Sequence, residues 1–466
     1  MKESEKKKAL IAMSGGVDSS VAAALMVQEG YECIGCTMKL LDASVTDLSE
    51  KACEISAGTE AGTAGTSSAG PGAAGIGTAG AGSGVPDTSA SHTCCSLDDV
   101  EDARSVARKL GMPYYVFNFT SDFGEKVIDR FVRIYQAGGT PNPCIDCNRY
   151  MKFGRLFLRA QELGCDKVVT GHYARTKFDE KTGRWQLLRS KNRTKDQTYV
   201  LYAMTQEQLA HAAFPLGEFD GKEEVRQLAE HYGFVNSHKP DSQDICFVPN
   251  GKYADFIEGR TGQKAPCGDF VDEEGHVLGE HKGLIRYTIG QRRGLGLALP
   301  APLYVQRIDT EKNQVVLTPE DRLFSRRLIA EDFNWIWTPD WEKQWSMKSP
   351  GASGRDTERP SDGKWSILPG MVESHGTDTP PVGYTCEVTA KPRYRAKEAE
   401  ATARVLDGGK VEILFHEPQR ALTIGQAVVL YMGEKVVGGG TICEVPLDYK
   451  RGETEFVGEI PVSASD

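Results

Sequence analysis

The sequence predicts an α/β fold: a doubly wound parallel sheet, then a small central domain, then a C-terminal β-barrel domain. Three observations predict it. Short apolar runs alternate with helical periodicities through the first two hundred residues, the pattern of strands joined by helical crossovers. A Gly/Ser string sits where the first strand gives way to the first helix. After Gly275 the texture changes to short β-rich runs separated by turn residues, as in a small barrel. A chain of 466 residues has length for two or three domains, and these are read as 1–205, 206–275 and 276–466.

The elements follow in order. Ala9 to Met13 is an apolar strand, and Val17, Val21, Leu25 and Met26 recur behind it at helical spacing. Tyr31 to Lys39 reads as a second strand. Ser96 with Asp99 has the form of a capping box, opening a helix with Val100, Ala103, Ala107 and Leu110 on one face. Tyr114 to Phe119 is a third strand, followed by a helix around Val127, Phe131 and Ile134. A further helix covers roughly Cys147 to Leu163, and Lys167 to Thr170 is a fourth strand. From Gln206 to about Phe256 come short helical patterns, such as Val225, Leu228 and Tyr232. The β-rich runs include Tyr304 to Ile308, Val315 to Leu317, Val411 to Phe415 and Ala427 to Tyr431.

Two stretches interrupt this pattern. From about 57 to 90 the chain is almost entirely Ala, Gly, Ser and Thr. Such a composition cannot bury enough apolar surface to offset ordering entropy, so it reads as a disordered insertion without chemistry. Deleting Ser67 to Ser83 is expected to leave activity nearly unchanged. From about 338 to 380 the chain is polar and rich in Gly, Pro and Ser, a second insertion within the barrel.

Composition excludes some classes of function. Apolar content is 39% and charged content 26%, and no apolar run reaches the length that spans a bilayer. The charged start, Met1 to Lys8, runs straight into a strand and lacks the apolar core of a signal peptide. A cytoplasmic protein with no membrane partner is expected. Its twelve cysteines are then not a static disulfide framework. The net charge of −10 opposes nucleic acid only as an average field, because phosphate contacts need a local basic surface.

Ser14-Gly15-Gly16-Val17-Asp18-Ser19-Ser20 carries the clearest chemistry. Its glycines allow a tight turn and close approach to phosphate, and the following helix offers unpaired N–H groups and a positive dipole end. The serines add hydroxyl donors, and Asp18 could help hold Mg²⁺. A phosphate loop of the Walker type needs a Lys before its Ser or Thr, and none is present. The string therefore suits gripping a pyrophosphate leaving group better than transferring a γ-phosphate.

The cysteines divide. Cys33 and Cys36 are three apart on a predicted strand, so they face opposite sides and read as core residues. His92, Cys94 and Cys95 border the first insertion, and vicinal cysteines chelate poorly. In Thr140-Pro141-Asn142-Pro143-Cys144-Ile145-Asp146-Cys147-Asn148, prolines and asparagine fix a rigid turn before a helix. A cysteine such as Cys147 near that helix N-terminus would be more nucleophilic. On the residues alone this segment admits redox, metal and inert roles, although a zinc site would need a second CxxC pair on an exposed loop, which the sequence lacks. Cys246, in Asp241-Ser242-Gln243-Asp244-Ile245-Cys246-Phe247-Val248, reads by composition as a core cysteine beside an acidic turn.

The Ser14 string resembles the PP-loop of the ATP pyrophosphatase superfamily. Further strings extend the resemblance: Met151-Lys152-Phe153-Gly154, Thr170-Gly171-His172-Tyr173-Ala174, Lys195-Asp196-Gln197-Thr198-Tyr199, Asp241 to Phe247, and Gly283 to Gly296. In this order, and covering most of the chain outside the two insertions, they resemble the bacterial tRNA 2-thiouridylase family (MnmA or TrmU). The resemblance implies ATP-dependent 2-thiolation of the wobble uridine of tRNA. ATP, with Mg²⁺, adenylates O2. Cys246 carries a persulfide, and Cys147 is the catalytic nucleophile that ends in a transient disulfide with Cys246.

It implies ATP contacts at Ala12, Met13, Ser14, Gly15, Gly16, Val17, Asp18, Ser19, Met38 and Gly171. It implies tRNA contacts at Asn142, Pro143, Cys144, His172, Lys195, Asp196, Gln197, Arg393, Tyr394 and Gln426. The implied partners are tRNAs for lysine, glutamate and glutamine and a persulfide donor, either a cysteine desulfurase or a relay protein. Lys391-Pro392-Arg393-Tyr394-Arg395 and Arg286 to Arg293 supply positive charge with interleaved tyrosine, suited to phosphates and stacking, although such short runs are commonly solvated faces. One departure stands out. Some family members carry an acid where this chain has Cys144, leaving that thiol as acid–base group, resolving thiol, spectator or Fe–S ligand.

Overall fold

The computed structural model describes residues 6–41, 96–240, 245–248, 251–338 and 379–446. The first insertion, most of the second, His92, Cys94, Cys95 and 241–244 lie outside the described residues.

Strand β1 (Lys8–Ala12) runs through the middle of a five-stranded parallel sheet. Its neighbours are β2 (Glu32–Lys39), β3 (Tyr114–Asn118), β4 (Lys167–Val169) and β7 (Ala212–Ala213), in the order β3-β2-β1-β4-β7. Ala9, Leu10 and Ile11 are fully buried, as expected of a central parallel strand covered on both faces. Helices α1 (Val17–Gln28) and α2 (Leu97–Lys109) cover one face, where Ile11, Val21, Ala103 and Ala107 form one apolar cluster. On the other face Leu10 joins Phe123, Phe131, Phe153 and Leu156, from two helical stretches over 120–136 and 143–162. Cys33 falls in the first cluster and Cys36 in the second, as period two dictates. Burial pushes both thiols up, Cys33 to about 11, so neither is reactive.

Two expectations are corrected in this first unit. At Ser96 the hydroxyl accepts the Asp99 N–H, but the short Asp99 carboxylate turns to the Ser96 hydroxyl and to Lys239, so the capping box is not closed. The boundary drawn at 205 also fails to match the packing. β7 extends the parallel sheet beside β4, and Val225 and Ala229 of the helix Lys222–His231 join the cluster under α1.

The β-rich part is two bodies rather than one barrel over 276–466. β8 (Gly268–Val271), β9 (Val277–His281), β10 (Tyr304–Asp309) and β11 (Gln314–Thr318) form a four-stranded sheet. It has its own core of Phe270, Tyr287, Val305, Val315 and Leu317. The six strands β12 (Phe324–Trp335), β13 (Thr385–Lys391), β14 (Ala399–Val405), β15 (Val411–Arg420), β16 (Ala427–Met432) and β17 (Lys435–Glu444) then pair in the order β12-β15-β14-β13-β16-β17. β12 also pairs with β17, which closes the barrel and removes its edges. The hairpin β5 (Ala174–Asp179) and β6 (Arg184–Arg189) leaves the first unit and meets β17 at Leu188↔Lys435.

Candidate active site

The nucleotide loop is held largely by its own residues. Gly15 has φ +73°, and a side chain there would place Cβ 2.4 Å from the Asp99 carbonyl oxygen. The Ser19 hydroxyl accepts the Ser14 N–H at 3.2 Å and donates to the Gly16 carbonyl at 3.0 Å. Ser20 is buried and also donates to Gly16, leaving Ser14 as the exposed hydroxyl. At the carboxyl end of β4, Gly171 approaches so closely that a Cβ would lie 2.7 Å from the Ser19 nitrogen. Met38 is half-buried near the end of β2, on the same carboxyl edge, where open α/β sheets bind ligands.

Asp18 is engaged by two residues from elsewhere in the chain. Its carboxylate accepts the Tyr173 hydroxyl at 3.1 Å and pairs with Lys222 at 3.3 Å. A Mg²⁺ arriving on the phosphates of ATP would share this carboxylate with Lys222. Sequence reasoning missed Lys222 and also Asn236, whose amide donates to the Gly15 carbonyl at 2.8 Å and the Ser20 hydroxyl at 3.0 Å. Both lie more than two hundred residues from the loop and carry no local signal.

The thiol segment is built differently. Asn142 caps the helix by accepting the Cys144 N–H at 3.2 Å, and Pro143 opens it with the φ a first turn needs. The helix N-terminus therefore falls on Cys144. Cys147, expected there, lies a turn further in, beyond most of the end effect. It is the first residue of a nine-residue π-helical stretch, Cys147–Arg155. Such stretches are rare and concentrate at functional sites.

Cys144 is solvent-accessible in the first turn of that helix, with Lys152 and Asp146 near enough to act on its thiol; the open space beside it is the thiol cleft. Burial pushes its thiol up, Lys152 opposes this, and Asp146 adds to it. Tyr394 of the barrel faces the same space, since the Cys144 sulfur is among the charges that raise its phenol, after burial and Asp196. His172 is buried, with Nδ1 2.7 Å from the Thr170 hydroxyl and Nε2 3.5 Å from the Lys152 ammonium. Burial and Lys152 hold its pKa well below the usual histidine range, so the ring is neutral at pH 7.

Cys246 is half-buried. The neighbouring Phe247 packs edge-on against Phe123 and Phe131 of the 120–136 helix, with ring centroids 5.7 and 5.2 Å apart. The helix bearing Cys147 rests on that same element through Arg155–Asp122 at 2.7 Å and Arg130–Asp146 at 3.2 Å. Both thiols border one apolar cluster. Among the described residues the one group of His, Cys, Asp and Glu with metal-ligand spacing is Asp272, Glu274 and His276, which contains no cysteine.

The barrel fixes the thiol segment from far along the chain. The Gln426 amide donates to the Thr140 carbonyl at 2.8 Å, and the Thr140 N–H donates to the Ile424 carbonyl at 2.9 Å. Arg149, two residues past Cys147, is bidentate to Asp332 of β12, a bridge the sequence did not reveal. Several residues expected to touch tRNA thus hold local structure. Gln426 does so, Arg393 donates to the carbonyls of Arg420 and Ala421, Asp196 accepts from Ser190 and Thr198, and Gln197 accepts the Tyr173 N–H. Lys195 and Tyr394 are exposed.

A parallel sheet with a glycine-rich loop at its strand carboxyl ends defines a class of nucleotide-binding α/β proteins, here followed by two β-bodies. Residues 7–66 and 83–250 match the family described as the tRNA methyl transferase HUP domain. Residues 254–319 match the tRNA methyl transferase PRC-barrel domain, and 372–442 the aminomethyltransferase β-barrel domain. The chain is 41% identical over 437 residues to the tRNA-specific 2-thiouridylase MnmA of Carboxydothermus hydrogenoformans, covering 94% of this chain and 98% of that protein. The protein of the same name from Moorella thermoacetica is 42% identical over 433 residues, covering 93% and 98%. The chain belongs to the tRNA-specific 2-thiouridylase family.

Proposed function

We propose that this protein replaces O2 of the wobble uridine with sulfur in tRNAs for lysine, glutamate and glutamine, consuming ATP. One observation supports it above the others. Gly171 touches the nucleotide loop, and the next residue, His172, reaches Lys152 beside Cys144. Phosphates on the loop and a uracil above Cys144 would therefore be neighbours.

ATP binds with its phosphates on Ser14–Ser19, and uridine O2 attacks the α-phosphorus. The O2–P bond forms, the bond to the β-phosphate oxygen breaks, the N3 proton leaves to solvent, and pyrophosphate carries off the electron pair. The terminal sulfur of a Cys246 persulfide then attacks C2, and AMP departs with the former O2. Cys147 attacks the Cys246 sulfur, releasing 2-thiouridine and leaving a Cys147–Cys246 disulfide for an external dithiol to reduce. Dividing the substitution this way gives each step a good leaving group. The persulfide comes from a cysteine desulfurase or a relay protein. Cys144, kept as a neutral thiol by burial, lines the uracil space. Tyr394 and Lys195 offer exposed stacking and charge to the anticodon arm.

The test is nucleoside mass spectrometry of unmodified tRNA incubated with protein, Mg-ATP and a persulfide donor. The expected product is 2-thiouridine at the wobble position with AMP and pyrophosphate released. Absence of both thiolation and ATP cleavage would overturn the reading.

A further inference from the structure

The cleft contains a cation that the steps above do not use. Lys152 is half-buried within the π-helical stretch, between buried Met151 and Phe153. Its ammonium lies 3.5 Å from His172 Nε2, and among the described residues no carboxylate pairs with it. A neutral ring that accepts a proton from Lys152 at Nε2 carries its own on Nδ1, donated to Thr170. The histidine thus orients the ammonium without neutralising it. Cys144 does not neutralise it either, since burial outweighs Lys152 and keeps that thiol protonated. A half-buried ammonium held by a neutral partner keeps its charge available to an incoming anion.

The position says which anion. Lys152 stands between Cys144 and His172, and His172 is one residue from the glycine packed on Ser19. Resting on the thiolation reading, we propose that Lys152 is a catalytic residue of the adenylation step, its ammonium meeting the α-phosphoryl oxygens of ATP as uridine O2 attacks. Charge builds on those oxygens as the O2–P bond forms and the bond to pyrophosphate breaks. A fixed ammonium there stabilises the transition state more than the ground state. The same contact holds the adenylate's phosphate while sulfur attacks C2.

The test is single-turnover release of pyrophosphate and AMP by persulfide-loaded protein, with unmodified tRNA and Mg-ATP, on wild type, K152M and K152A. K152M is expected to slow AMP formation by about 10²-fold, with ATP and tRNA dissociation constants and persulfide loading of Cys246 little changed. In K152A, added methylamine is expected to restore rate in a saturable way, a response a purely structural lysine would not give. AMP formation at the wild-type rate in K152M overturns the inference. So does a loss matched by equal loss of ATP binding with no rescue of K152A by amine. A wild type that makes no AMP and no 2-thiouridine overturns the thiolation reading instead, so the two failures are distinguishable.

Discussion

The nucleotide loop and the thiol cleft are built by opposite means. Ser14 to Ser20 bonds mainly to itself, over three to five residues, and its shape is fixed by glycine at a positive φ. Thr140 to Cys147 is held by Gln426 and Ile424, 286 and 284 positions away, and by the Arg149–Asp332 bridge. The loop's shape is therefore set chiefly by local bonds, with Asn236 and Lys222 as long-range additions. The cleft exists only once the barrel has docked. A tRNA seated on the barrel would then bear directly on the segment that carries the nucleophile.

Substitutions can break this comparison. The largest effect is expected at the thiols. Cys147→Ser and Cys246→Ser should each lower 2-thiouridine formation by roughly 10³-fold or more while pyrophosphate release by the adenylation step continues. Side-by-side product and pyrophosphate assays check this. Next come the glycines of the loop. Gly15→Ala forces a Cβ into the Asp99 backbone at positive φ. A loss of roughly 1–3 kcal/mol is expected, seen as a lowered Tm and weaker ATP binding by calorimetry.

Breaking the long-range tie should act on rate alone. Gln426→Leu releases the Thr140 carbonyl and should lower single-turnover thiolation by roughly 10-fold to 10²-fold, with the KM for ATP unchanged. A rise in that KM would show that loop and cleft are not independent.

The smallest effect concerns Asp146, buried beside the cleft. Burial pushes its carboxyl up to about 6, outweighing the pull of Arg130 and Arg149. An acid raised on folding holds its proton while the unfolded chain has lost its own. Its contribution to stability is therefore present at low pH and is lost as pH rises from the ordinary carboxylate range to about 6. Asp146→Asn should flatten that stretch of the stability profile, measured by denaturant melts across pH.

The same contrast explains what could be read from sequence. The strands, the loop and the opposite facing of Cys33 and Cys36 were legible because periodicity and glycine are local signals. Asn142, Pro143 and the cysteines stood out as a motif. Their partners did not, because Lys222, Asn236, Asp332 and Gln426 reach them only through tertiary contact. Lys152 lay within a string that pointed to the family, yet only its closeness to His172 and Cys144 gives it a part. The π-helical stretch left no pattern distinct from an ordinary helix. The single barrel became two sheets because alternating runs show strands, not which strands pair.

The route of the sulfur is the central claim, and peptide mass spectrometry tests it most directly. Protein loaded with a persulfide donor is digested before and after one turnover with Mg-ATP and unmodified tRNA. The Cys246 peptide should first carry one extra sulfur, then lose it as 2-thiouridine forms, with the Cys147 and Cys246 peptides joined by a disulfide. Extra sulfur residing on Cys144 or Cys147, or 2-thiouridine formed without the Cys147–Cys246 disulfide, would contradict the account.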